Sequence, residues 1–218
     1  ILWIFTKDPQ IPSTRNAIQN TLTRASIHNR WWANDPDCLL LRPDTELTLE
    51  EIKSHASLIA LSGGALLISD DLTRLPAERL RLAAVLLPLI GQRPQVLDWF
   101  DSQTPRFVRL DLHGPTDDWL LLGYFNWSDQ PEQKTLTPQE FHLAGGSYTV
   151  RSFWENAVRK QTGGEIWSGR VAPHGCVVLA VRPQASGAQY LGSDLHISQG
   201  LEVKTWQVSE TDIRCEIN

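Results

Sequence analysis

The sequence predicts a two-part chain, an α/β half followed by an all-β half. Three observations carry this. Through residues 1–90 apolar residues recur at helical spacing, with a short continuous apolar run set between two predicted helices. From Arg106 onward the pattern changes to period two, with turn residues between the runs. Between these halves, residues 91–105 are rich in Pro, Gln, Asp and Ser and read as a linker. The expected organisation is therefore 1–90, a linker at 91–105, and 106–218.

The first helix is expected over Thr14 to Asn29, where Ile18, Leu22 and Ala25 form one stripe and Ser13 or Thr14 supplies the cap. An aromatic segment, Trp31-Trp32-Ala33-Asn34, leads into Asp35-Pro36-Asp37. A second helix is expected over Thr48 to Leu61, with Thr48 and Glu51 as a capping box and Gly63-Gly64 as its stop. Ala65 to Ser69 then reads as a strand buried on both faces, as in a parallel sheet. Pro76 opens a third helix that runs to Leu87. In the second half, strands are expected at 107–112, 118–127, 148–153, 176–181 and 201–208. The turn signals are Gly114-Pro115, Gly145-Gly146, Gly163-Gly164 and Gly187, and short strands so spaced predict an antiparallel β-sandwich. About 100 residues suffice for such a sandwich, so residues 106–208 are expected to bury a core of their own.

Composition narrows the function. The chain has 218 residues, 41% hydrophobic and 21% charged, which is an ordinary globular mix and excludes disorder or a disulfide scaffold. Net charge is −5 with no Lys/Arg run longer than two, which argues against nucleic-acid and polybasic membrane binding. The longest apolar stretch, Leu58 to Ile68, is interrupted by Ser62-Gly63-Gly64, so no membrane span is expected. The start lacks the basic and apolar regions of a signal peptide, and Cys38, Cys176 and Cys215 are scattered and odd in number. A cytoplasmic location with reduced cysteines is the expectation. Met is absent even at residue 1, and Ile1 to Phe5 has no polar lead-in, so the chain is expected to be processed or partial.

The chemistry-bearing candidates lie in the first half. Asp35-Pro36-Asp37-Cys38 is the densest polar point, and in parallel α/β units the loop after a strand handles ligands. Asp37 is expected on that face, following the Trp31–Asn34 segment. A carboxylate there can accept two hydrogen bonds from a diol; the alternative is that Asp35 or Asp37 caps the loop around Pro36. Asp70-Asp71, again at a strand end, carries the same two readings. Trp31 and Trp32 point to opposite sides if extended, so one could stack on a sugar and the other pack in the core. Cys38 has no histidine placed to activate it and reads as a small packed residue. The six histidines show neither HxH nor HExxH spacing, so no metal site is expected.

At these residues the sequence resembles a known family. Asn16-Ala17 through Arg30-Trp31-Trp32-Ala33-Asn34-Asp35-Pro36-Asp37-Cys38-Leu39-Leu40-Leu41-Arg42 is similar to the late barrel segment of clan D glycoside hydrolases. Among these the microbial α-galactosidases of melibiase type, family 36-like, match best. Leu58 to Leu72, with Ser62-Gly63-Gly64 and Ser69-Asp70-Asp71, resembles that family's last barrel helix–strand pair. Tyr148 to Trp154 and Val171-Ala172-Pro173-His174-Gly175 resemble its C-terminal β-domain. The resemblance implies the C-terminal part of a (β/α)₈ barrel followed by a β-sandwich, and hydrolysis of terminal α-galactosides as the parent activity. Family members are retaining enzymes with a nucleophile in a Lys-x-Asp setting. No Lys-x-Asp occurs here, since Lys7-Asp8 lacks the spacer, so neither catalytic carboxylate maps onto this chain. Asp37 matches a galactose-binding Asp, with Cys38 beside it and Trp32, Asp35 and Asp70 around it. A galactoside-type carbohydrate is the implied partner, with no metal or organic cofactor. The chain alone is expected to be inactive and to need the missing barrel part or an oligomeric partner. The alternative is a non-catalytic carbohydrate-binding or scaffold protein in which only the β-sandwich matters.

Overall fold

Helix α1 (Thr14–Thr23) begins where Ser13 accepts the Asn16 N–H at 3.2 Å, as a capping residue should. In this computed structural model, which describes residues 4–162 and 164–218, the helix stops earlier than the apolar spacing predicts. Thr21 and Thr23 donate their hydroxyls back to Ala17 O and Gln19 O, each at 2.8 Å, and such back-bonding loosens the final turn. A single 3₁₀ turn, Ala25–Ile27, continues the direction. The start of the chain at Ile1–Trp3 and the turn signal at Gly163 lie outside the described residues.

Two short parallel strands follow, β1 (Cys38–Leu39) and β2 (Leu67–Ile68), in the register Cys38 with Leu67 and Leu39 with Ile68. Helix α2 (Leu49–Ser62) connects them. Its capping box is complete: Thr48 accepts the Glu51 N–H, and Glu51 reaches back to the Thr48 N–H at 2.7 Å. Gly63 ends it at φ 67°, a left-handed residue that glycine adopts without Cβ strain. The expectation that the 65–69 run is buried on both faces fails, because Leu67 is 44% exposed. β2 has one neighbouring strand, so its outer side meets solvent. Helix α3 (Ala77–Ala84) follows Pro76, which sits at the cap rather than inside the first turn.

The second half is one six-stranded antiparallel sheet with smaller additions. The sheet strands are β3 (Gln95–Val96), β4 (Phe107–His113), β5 (Asp118–Phe125), β7 (Ser147–Ser152), β8 (Ala157–Thr162) and β10 (Cys176–Pro183). They lie in the order β3-β4-β5-β10-β7-β8. Strand β3 arises inside the 91–105 stretch and forms one edge of this sheet. Strands β6 (Glu132–Leu136) and β9 (Trp167–Val171) pair separately, as do β11 (Val203–Val208) and β12 (Ile213–Ile217).

Period-two alternation divides the sheet's side chains between two cores. Val108, Leu110, Leu121, Phe125, Val178 and Ala180 join Ile52, Ala56, Leu58 and Leu61 of α2 in one cluster. Leu122, Tyr124, Val150, Val177 and Leu179 face the other way and meet Leu136, Trp167 and Val171 from β6 and β9. Gly123 is where α2 comes closest: a Cβ there would stand 2.4 Å from Leu61 Cδ1. The helical half and the sheet therefore share a core. Among the described residues, no helix is long and apolar enough to cross a membrane.

Candidate functional site

The 28–38 loop is held from beneath by buried polar groups. His28, almost fully buried, accepts the Asn34 N–H on Nδ1 at 2.9 Å. Burial holds its pKa below the ordinary histidine value, so the ring is neutral. Asn34 then works in three directions. Its Nδ2 donates to Arg24 O at 3.1 Å, its Oδ1 accepts the Trp32 indole N–H at 3.0 Å, and its carbonyl accepts the Ala65 N–H at 3.2 Å. One turn further, His55 of α2 donates from Nε2 to Pro36 O at 2.9 Å. Complete burial pushes its pKa down too, which keeps it a neutral donor.

On this base the exposed groups are arrayed. Trp31 and Trp32 lie in a turn closed by Asn29 N–H to Trp32 O at 2.8 Å, with Asn29 at φ 56°. They are not extended, and neither enters the core: the residues are 77% and 51% exposed, and their rings stand 6.1 Å apart at 59°. The expected split between a stacking and a core tryptophan is thus corrected by the turn. Trp32 and Asp35 line one cleft of about 340 Å³ with Asn20, Thr21, Arg24 and Asn34.

Both loop aspartates also cap backbone. Asp35 Oδ1 accepts the Asp37 N–H at 2.8 Å, closing a turn around Pro36, and Asp37 Oδ1 accepts the Cys38 N–H at 2.6 Å. Asp37 needs this cap, since its φ is 70°. Each carboxylate keeps a second oxygen with no partner among the described residues. Cys38 is half-buried and packs against the larger core.

Asp37 lies just before β1, not on a loop after a strand as the sequence reading expected. The aromatic segment that precedes it is the Trp31–Trp32 turn, not a strand. Asp70 follows β2 and, by the parallel register, sits opposite Leu41, four residues beyond Asp37. At about 3.3 Å per residue this separates the two by about 13 Å along the strands. They do not form the close carboxylate pair of about 5–5.5 Å that retaining hydrolysis needs. The Asp70 side chain is 1% exposed, and its oxygens take the Leu41 N–H and the Arg42 guanidinium.

Sequence reasoning missed His28, Asn34 and His55, which hold the loop, and Arg24 and Arg42, which line clefts. Asn34 stood inside the quoted segment, but only the fold shows it as the hub. Among the described residues, no three His, Cys, Asp or Glu side chains gather closely enough to hold a metal ion. The three cysteines are free, and burial raises the Cys176 thiol to about 11, which leaves it unreactive.

No protein-family model matches the sequence. Solved α-galactosidase structures do match the fold. A Bacteroides fragilis protein assigned as an α-galactosidase aligns over 85% of this chain and 41% of its own, with TM-score 0.64 and 19% identity. α-Galactosidase I from Mortierella vinacea aligns over 81% of this chain and 46% of its own, at TM-score 0.59 and 17% identity. The Saccharomyces cerevisiae α-galactosidase solved with raffinose aligns over 79% and 52%, at TM-score 0.58 and 14% identity. The chain spans about half or less of the length of these structures, and what it shares with them is the fold.

Proposed function

We propose that this chain is a segment of a glycoside hydrolase acting on terminal α-galactosides, supplying part of the sugar site but not the catalytic carboxylate pair. In this reading β1, β2 and their helices, within residues 1–90, are the last units of a (β/α)₈ barrel. Residues 91–105 link them to the β-sandwich at 106–218. The observation that carries the proposal is the 31–38 loop, in a chain whose fold is shared with α-galactosidases. It sets exposed Trp32 and Asp35 on one cleft, with Asp37 bonded to Asp35 next along the loop and each carboxylate with an oxygen to spare, on a base fixed by His28, Asn34 and His55. An aromatic face beside carboxylate acceptors suits a sugar, which has one apolar face and a rim of hydroxyls. Asp37 accepts hydroxyls, Trp32 stacks, and Asp35 shapes the turn. Cys38 anchors the loop to β1, and Asp70 braces the far end of the strands through the Leu41 N–H and Arg42. One solved relative of this fold holds raffinose, a galactoside.

The second reading, a non-catalytic carbohydrate-binding protein, is favoured by a cleft of about 330 Å³ on the six-stranded sheet. Leu120, Leu143 and Tyr148 give it an apolar floor, with Arg109, Asp111 and His142 at the rim.

Titration of methyl α-D-galactopyranoside into the chain tests the proposal. Asp37→Asn is expected to weaken binding by about 10- to 100-fold, since a hydrogen bond to a charged group is worth about 1.5–3 kcal/mol. Equal affinity of variant and parent removes Asp37 from the site. Turnover of an aryl α-galactoside by the purified chain would show that a catalytic pair lies within it.

A further inference from the structure

We propose that strand β12 is the docking edge for a second copy of this chain, the two β12 strands pairing antiparallel about a two-fold axis at Cys215. This stands apart from the carbohydrate reading and draws on a different part of the molecule.

The β11–β12 hairpin pairs Val208 with Ile213, Gln207 with Arg214, Trp206 with Cys215 and Thr205 with Glu216, and forms a sheet of two strands. Such a hairpin is marginal by itself and gains from further strands. Two bonds fix which groups face outward. The Ser209 N–H donates to Asp212 O at 2.9 Å, and the Asn218 N–H donates to Glu202 O at 2.8 Å. Bonded and non-bonded residues alternate along an antiparallel ladder, so both bonds, one at each end of β12, make Arg214 and Glu216 the residues that bond to β11. Ile213, Cys215 and Ile217 therefore turn their N–H and C=O groups away from β11. No strand pairs with that side among the described residues, and β12 is exposed along its whole length. An open edge of this kind is a template for another strand.

The residues on β12 select the partner and the register. When β12 pairs with its own copy, a two-fold axis at Cys215 engages all three outward residues: Cys215 with Cys215, and Ile213 with Ile217 of the second copy. Axes at residue 214 or 216 engage two of them, and they set Arg214 against Arg214 or Glu216 against Glu216, like charges directly opposite. The axis at Cys215 instead sets Arg214 opposite Glu216 at two symmetric places. Arg214 has no side-chain partner among the described residues. Glu216 meets Lys204 of its own hairpin at 3.7 Å, an exposed pair that contributes little and leaves the carboxylate able to take the arginine.

The opposite face adds apolar contact. Val208, Ile213 and Ile217 are exposed there beside Cys215, and the Tyr190 ring meets Trp206 at 5.7 Å. Pairing extends this face into four strands. Five residues a side fall short of the about 20–30 of a stable interface, so the dimer is weak and dissociates on dilution.

Sedimentation of the full chain over a range of concentrations tests this, with a monomer–dimer equilibrium expected. Arg214→Glu and Glu216→Arg should each raise the dissociation constant about tenfold or more while melting like the unaltered chain, since each sets like charges opposite at two places. Mixed in equal amounts, the two variants should dimerise as the unaltered chain does, because every crossing pair is then opposite in charge. Diamide, which takes up two electrons and two protons as two thiols join, should link the dimer through Cys215. The opposed Cα atoms of a bonded pair stand about 5.5 Å apart, within disulfide reach. Cys215→Ser should remove the link. A monomer at every concentration, association that both charge variants retain, or variants that stay apart when mixed would overturn the proposal. A disulfide through Cys38 or Cys176 in place of Cys215 would overturn the axis at Cys215.

Discussion

Replacing Gly64 by Ala should loosen the 31–38 loop at its root. A Cβ at residue 64 would stand 2.7 Å from the Asn34 carbonyl oxygen and 2.9 Å from Pro36 Cδ. The obstacle is backbone and a proline ring, so no rotamer change relieves it. Restoring ordinary contact with the Asn34 oxygen requires a shift of about 0.7 Å, and overpacking of this kind costs about 1–3 kcal/mol. The shift also strains the Ala65 N–H to Asn34 O bond, worth about 1 kcal/mol. Against this, alanine restricts the unfolded chain and returns about 0.4–1 kcal/mol. The net loss is about 1–3 kcal/mol, which lowers Tm by about 3–10 °C for a chain of this length. Gly145→Ala is the control, since a Cβ there meets nothing within 4 Å. Thermal melts of both variants decide the matter, with sugar titration as a second readout for Gly64→Ala. If the two melt within about 1 °C of each other, the claim that Gly64 sets the loop's position is refuted.

His55→Leu leaves the Pro36 carbonyl without its buried donor and should cost about 1–3 kcal/mol, read as a lower urea midpoint. Burial depresses the pKa of His28, His55 and His196 below 6.5, so the unfolded chain binds protons that the folded one refuses. Their contribution is complete above that value and is lost as pH falls through it; an unchanged urea midpoint between about pH 7.5 and 5.5 would contradict this. Hydrogen bonds from Lys7 and His174 lower Asp129 from 3.8 to about 2, so this link is present above about pH 4 and lost toward pH 2. Asp129→Asn should therefore flatten the acid limb of the same curve. A chain shortened to start at Thr104 loses α2 and bares Val108, Leu110, Leu121, Phe125 and Val178 on one face of the sheet. It should aggregate or bind a hydrophobic dye, and a sharp cooperative melt from a monomer would show that the sheet keeps its own core.

Local signals were legible in the sequence because they depend on neighbours only. Thr48 and Glu51 specified a capping box, Ser13 a cap, and Gly63 a left-handed stop, each through bonds that close within a few residues. Period-two alternation located β4, β5, β7 and β10, since a sheet with both faces covered still separates odd from even positions. The Asn34–Cys38 stretch and its relation to Ser69-Asp70-Asp71 pointed to α-galactosidases, whose fold the chain shares. Polar strands such as β6 and β8, and the two-residue β3, escaped because they carry little hydrophobic periodicity. Tertiary structure alone decided what each aspartate does. Asp70 and Asp37 look alike in sequence, each in an acidic pair beside an apolar run. The parallel register puts one under Arg42, sealed from water, and leaves the other at the opposite end of the strand with an oxygen free. Whether α2 belongs with the strands before it or the sheet after it was equally beyond reach of the sequence. Its apolar residues declare that they must be buried, but only the missing side chain at Gly123, against Leu61, shows which surface buries them.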